Sequence, residues 1–271
     1  MGAQGKFSAM SRVRVLAALG VAVLTGTVLA ACSAEEPEPA VTPPPVTITA
    51  TPTPTVEAEP EVDPWVSLIA SVDAEVESIE VFADPADAEP ERVVTSEEAV
   101  SLPGRIPMTF LVIEQQDDWV HVYLPVRPNG SSGWVHMDEV SISTTDFHLE
   151  VRLADHRLSL YKADEVVMEV PVGIGREEVP TPGGVYYVKE LLQPPTPGGP
   201  YGAYAYGLSG YSPVLESFAG GEGVIGIHGT NEPELVGTDV SHGCIRMLDE
   251  DVTRLVEEFG LPLGTPVEII E

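Results

Sequence analysis

Ile227-His228-Gly229-Thr230, followed after a short connection by Ser241-His242-Gly243-Cys244-Ile245-Arg246-Met247, is the stretch from which the carboxy-terminal half of this chain is read. Two histidines and a cysteine fall within residues 228–244. A thiol with the ordinary pKa of ~8.5 is mostly protonated at neutral pH and a poor nucleophile; a neighbouring imidazole either lowers that pKa or takes the proton. His242 and Cys244 are two apart, so an extended backbone puts both on one side. Gly243 between them permits a tight turn that aims backbone N–H groups at an oxyanion.

Three chemistries fit these residues. The first is covalent catalysis by Cys244 with a histidine as base. The second is a zinc site built from His228, His242 and Cys244, which supplies three acceptable ligands but no evident fourth and no Cys-X-X-Cys spacing. The third is a structural thiol beside hydrogen-bonded histidines. The residue types leave all three open, with the first favoured because thiolate reactivity needs such surroundings.

Upstream, Val172-Gly173-Ile174-Gly175 precedes Thr181-Pro182-Gly183-Gly184-Val185-Tyr186. Taken with His228-Gly229-Thr230-Asn231, Gly237 and the segment 241–247, this order of motifs strongly resembles the catalytic domain of L,D-transpeptidases of the YkuD type, over residues 146–271. The resemblance implies a β-sandwich with one or few short helices. It also implies an enzyme that acylates its cysteine with a peptidoglycan tetrapeptide stem, releases D-alanine and passes the acyl group to an amine, forming 3→3 cross-links. By the same resemblance Cys244 is the nucleophile, and His228 is the base, held by the carbonyl of Gly229. His242 supports the nucleophile, and the N–H groups of His242, Gly243 and Cys244 form the oxyanion hole. Ser241, Thr230 and Arg246 contact substrate, Arg246 by shaping the turn or pairing with a carboxylate. No metal or cofactor is implied, and carbapenems are expected as covalent inhibitors. Hydrolysis of stems, attachment of proteins to the wall, and a catalytically silent wall-binding scaffold stay open as alternatives.

The patterning around the motifs predicts a β-rich domain. Residues 148–153, 156–162 and 166–172 alternate polar and apolar side chains, with hairpin turns at Asp155-His156 and Ala163-Asp164. Further strands are expected over 185–189, 224–228 and 267–270. A helix is expected over 250–259, with Asp249 as N-cap, Val252, Leu255, Val256 and Phe259 on one face, and Gly260 as its stop. Residues 194–210, rich in Gly and Tyr, show no clear period; Gln193-Pro194-Pro195-Thr196-Pro197-Gly198-Gly199-Pro200 reads as a long loop, and no element is assigned beyond it.

Residues 64–145 read as a smaller all-β module with strands over 77–82, 108–114, 119–124 and 133–136 and a turn at Pro128-Asn129-Gly130. Asp118-Trp119-Val120 and Gly133-Trp134-Val135 around that turn resemble a bacterial SH3-like domain. Trp119, Tyr123 and Trp134 are expected to form the core of a small barrel, with an aromatic groove for a wall ligand as the alternative.

Before this module, Lys6, Arg12 and Arg14 precede an apolar run over 15–31, too short for a comfortable membrane span, which reads as a secretory signal. Leu29-Ala30-Ala31-Cys32 resembles the lipobox of bacterial lipoproteins, which implies a lipidated Cys32 and anchorage to the outer face of the cytoplasmic membrane. Residues 33–63, dense in Pro, Thr and Glu, read as a disordered tether with a maximum reach on the order of 100 Å. The whole chain carries 43 acidic and 13 basic side chains, a formal charge of −30, which argues against a nucleic-acid partner. Its 2 cysteines exclude a disulfide-framed scaffold.

Overall fold

The computed structural model describes residues 63–196, 198–217 and 221–271. The expected signal, the lipobox cysteine Cys32 and nearly all of the tether lie outside them. The protein is mainly β. An eight-stranded sheet runs Glu165–Pro171, Arg157–Lys162, Phe147–Arg152, Pro266–Ile270, Gly184–Leu192, Ala205–Tyr211, Val224–His228 and Ile245–Arg246. Neighbours in this order pair antiparallel, except that Pro266–Ile270 joins Phe147–Arg152 and Ile245–Arg246 joins Val224–His228 in parallel. Alternation accounts for the sheet: Leu149, Val151, Leu158 and Leu160 are fully buried in its core, while Glu150 and Arg152 face away and pair with each other. The hairpin positions His156 and Ala163 adopt positive φ of 51° and 52°, as tight turns between right-twisted strands require.

Residues 205–211, to which the sequence assigns no element, form a central strand whose Tyr206 and Leu208 are buried. The Gly and Tyr content hid it: Gly207 and Gly210 are placed where a Cβ would strike Glu190 and Tyr186, so side-chain crowding dictated glycines inside a strand. The helix begins earlier than expected. Asp249 is its first residue and Leu248 its N-cap, because the Asp249 carboxylate is engaged elsewhere. After Thr253 the helix widens to a π-helix over Arg254–Phe259 and stops at the left-handed Gly260 (φ 61°).

The amino-terminal β region has a five-stranded sheet in the order Ser132–His136, Trp119–Tyr123, Thr109–Gln116, Ser67–Ser71 and Ser141–Thr145. Its core is largely aliphatic, with Val81, Val120, Val122 and Val135 fully buried around Phe110. Of the three aromatics expected in the core, Trp134 is buried and Tyr123 packs against the aliphatic cluster, while Trp119 lies on the opposite face of its strand from the buried Val120 and Val122. Trp119 stacks on His136 with ring centroids 3.8 Å apart, and His121 stacks on Trp134 at 4.7 Å.

The two sheets share packing. Tyr187, from the eight-stranded sheet, is fully buried within the amino-terminal core, and Ser101 donates from its N–H (2.9 Å) and its hydroxyl (2.8 Å) to the buried carboxylate of Glu190. The described residues accordingly belong to one compact unit.

Candidate active site

The site follows from register. Ile227 pairs with Ile245 and His228 with Arg246, and paired residues share a face of the sheet. Ile225, Ile227, Ile245 and Met247 therefore face the core, while Gly226, His228, Cys244 and Arg246 take the other side. His228 and Cys244 line one cavity of about 250 Å³, together with Tyr201, His242 and Arg246. A second cavity of about 480 Å³ reaches the same two side chains from the direction of Glu190, Pro194 and Leu102. Cys244 thus stands where two cavities meet.

His228 is buried, and its Nδ1–H donates to the carbonyl of Gly229 at 2.6 Å. That bond fixes the tautomer and leaves Nε2 as the nitrogen with the free lone pair. Burial pushes the imidazole pKa down to about 4, opposed by the Gly229 carbonyl and assisted by the nearby Arg246 guanidinium. Burial pushes the Cys244 thiol up, while the N–H of Gly226 and the charge of Arg246 pull the other way. At neutral pH the resting pair is a neutral imidazole and a neutral thiol. The Tyr201 ring meets the His228 ring edge-on at 4.9 Å and borders both cavities.

The turn that presents Cys244 is held from within. Ser241 Oγ accepts from the N–H of Gly243 at 3.0 Å and donates to the carbonyl of Cys244 at 2.6 Å. Gly243 has φ +112°, a conformation that side-chain-bearing residues rarely adopt. Thr181 braces the turn from outside: its hydroxyl accepts from Gly175 N–H at 2.8 Å and donates to the Gly243 carbonyl at 3.0 Å. The Gly-rich strand and the Thr-Pro turn therefore belong to the site as its support.

Several expected roles change. Gly243 was expected to give its N–H to an oxyanion, but that group is committed to Ser241. Ser241 is buried with its hydroxyl used in both directions, so it shapes the turn. Thr230 is also buried: its N–H donates to Asp249 Oδ1 at 3.1 Å and its Oγ accepts from Glu232 N–H at 3.1 Å, which makes it a support of the segment after His228. Gly229 contributes its carbonyl, and a Cβ there would lie 2.1 Å from Asp249 Oδ1. Arg246 pairs with Glu232 at 2.9 Å, yet its Nε is buried without a partner. His242 accepts at Nε2 from the guanidinium of Arg176. A guanidinium only donates, so Nε2 carries the lone pair and Nδ1 the proton. Tyr201, Thr181, Arg176 and Asp249 join the site without having been singled out as site residues. For Thr181 the Thr-Pro-Gly-Gly turn was a usable signal; for Tyr201 no spacing was.

The family profile of the L,D-transpeptidase catalytic domain, YkuD, matches residues 146–269. The Bacillus licheniformis protein named L,D-transpeptidase YkuD is 36% identical over 126 residues, covering 46% of this chain and 67% of its own length. The ErfK/SrfK L,D-transpeptidase of Salmonella typhimurium is 30% identical over 179 residues, covering 56% of this chain and 52% of its own. The solved catalytic domain of an E. faecium L,D-transpeptidase is 25% identical and covers 46% of this chain and 96% of that one, with a TM-score of 0.34.

Proposed function

For a chain that belongs to the L,D-transpeptidase family, we propose a peptidoglycan L,D-transpeptidase that uses Cys244 as nucleophile and forms 3→3 cross-links. The observation that carries this reading is the pair itself: His228, tautomer fixed by the Gly229 carbonyl, lines the same cavity as Cys244.

Because the resting pair is neutral, His228 Nε2 takes the thiol proton as sulfur attacks the carbonyl carbon of the third stem residue. The charge on the carbonyl oxygen is met by the backbone N–H of Cys244, since that of Gly243 is already used. Collapse breaks the C–N bond, His228 returns the proton to the leaving amine, and D-alanine departs from the thioester. An amine from a second stem then attacks, gives its proton to His228 and expels the thiolate, which is reprotonated. Two cavities meeting at one sulfur suit a donor and an acceptor that approach from different sides. Arg246 offers its unpartnered Nε to a stem carboxylate. A carbapenem would acylate the same sulfur.

The lipobox at Cys32 and the Pro-rich stretch after it support a lipoprotein anchored on the outer face of the cytoplasmic membrane, with the catalytic domain extended toward the wall. The strand and turn pattern around Asn129 supports an SH3-like character for the amino-terminal β region.

The test is to incubate wild-type and Cys244→Ala protein with a purified disaccharide tetrapeptide and weigh enzyme and muropeptides together. A thioester adduct with 3→3 dimers, both lost in the variant, is the expected result. An adduct with tripeptide and no dimer would redirect the reading to hydrolysis, and neither adduct nor product would leave a scaffold.

A further inference from the structure

We propose that Arg127, carried by the amino-terminal β region, is a positioning residue for the substrate cavity of the carboxy-terminal domain, acting by holding the two chain stretches that wall it. Its guanidinium donates to three backbone carbonyls of the other domain: Nη1 to Ser212 at 3.0 Å, and Nη2 to Leu215 at 2.9 Å and Glu222 at 3.0 Å. Its carbon sits 4.7 Å from the centre of the Tyr211 ring, which braces it from below.

These carbonyls are not scattered. Ser212 and Leu215 belong to one stretch and Glu222 to another, and Ser212 N–H donates to the Gly223 carbonyl at 2.8 Å, so the two stretches touch. Gly223 has φ +72°, and a Cβ there would lie 2.4 Å from the Leu215 carbonyl oxygen, so the approach is at its limit. Ser212, Leu215, Gly223 and Val224 line the same 250 Å³ cavity as Cys244 and His228. One planar fork thus ties both sides of a cavity wall to a different sheet, a task that needs several fixed donors and that a lysine ammonium on a flexible stem performs poorly. Asn129 completes the attachment: it accepts from Tyr211 N–H at 2.9 Å and donates to the Tyr211 carbonyl at 2.8 Å. The turn at 128–130 is therefore a connection to the catalytic domain.

The inference rests on the transpeptidase reading for its kinetic arm only. The wall holds substrate and does not touch the sulfur's own proton chemistry, so loosening it should weaken productive stem binding and spare thiol reactivity. Full-length wild type, Arg127→Lys and Arg127→Met are compared in three measurements: stem turnover, alkylation of Cys244 by iodoacetamide, and hydrogen exchange at Ser212, Val214 and Leu215. The expected result for Arg127→Lys is a KM raised about tenfold with kcat nearly kept, alkylation close to wild type, and faster exchange at the three amides. Exchange unchanged in both variants overturns the proposal whatever the substrate is. So does a parallel loss of turnover, alkylation and melting temperature, which would make Arg127 structural glue. Failure of the wild type to turn over stems while exchange responds as expected would sink the transpeptidase reading and leave the clamp standing.

Discussion

At the residue scale the chemistry turns on two opposed desolvations. Burial keeps His228 unprotonated and Cys244 protonated, so the resting site holds a neutral pair, and in the proposed mechanism the proton moves during attack. One consequence is a pH profile. The rate of Cys244 alkylation should climb through pH 8.5 and beyond, without a plateau between 6 and 8; a plateau there would reveal a thiolate–imidazolium pair instead. A second consequence is linkage. The unfolded chain binds a proton at His228 near pH 6.5 and the folded chain only near 4, so the unfolded state holds more protons in that window and stability rises with pH across it. Chemical denaturation of wild type and His228→Gln at pH 4 and pH 7 should show a difference between the two proteins that grows with pH, on the order of 3 kcal/mol, and levels off above 6.5. Equal pH dependence in both proteins would refute this.

At the element scale, strands with strict alternation are legible in the sequence. The hairpins at His156 and Ala163 and the strand 224–228 fall where the pattern put them. What the pattern missed was decided by partners far off in the chain. Glycines at 207 and 210 leave that stretch without a readable period, and their reason is distant: Glu190 and Tyr186 occupy the space their side chains would need. Asp249 looks like an N-cap because it precedes an amphipathic run, but its carboxylate is drawn to Thr230 N–H, 19 residues back, and the helix starts around it. Asp249→Ala should leave that buried N–H unsatisfied and cost about 1–3 kcal/mol, with a loss of activity because the segment after His228 loosens. Asp249→Asn keeps an acceptor and should recover most of both. Melting curves and turnover for the two variants check the pair of expectations.

At the scale of the whole molecule, Tyr187 joins the two sheets. Its ring fills the amino-terminal core while its hydroxyl lies buried without a partner. Removing that hydroxyl relieves an unpaired polar group, so Tyr187→Phe should stabilise the protein by roughly 1 kcal/mol, whereas Tyr187→Ala should cost about 3–5 kcal/mol. The three tryptophans all lie in the amino-terminal β region, and Cys244 directly precedes a strand of the other sheet. Tryptophan fluorescence and Cys244 accessibility should therefore report one coincident unfolding transition; two separate transitions would show that the shared core does not couple the sheets.

The β-rich class of the fold and the clustering of His228, His242 and Cys244 are readable from the order of residues alone. His228, Gly229 and the run 241–247 lie close in the chain, and period-two alternation sends histidine and cysteine to one face and isoleucine to the other, so local rules suffice. What each neighbour of that cluster does follows from contacts made on folding. Ser241 and Thr230 carry hydroxyls that suggest substrate contact, yet both are spent on backbone groups, since buried donors must be satisfied wherever the chain leaves them. The clamp of Arg127 on Ser212, Leu215 and Glu222 lies beyond any local pattern, because its partners are carbonyls that every residue carries and that become distinctive only when folding brings them to one guanidinium.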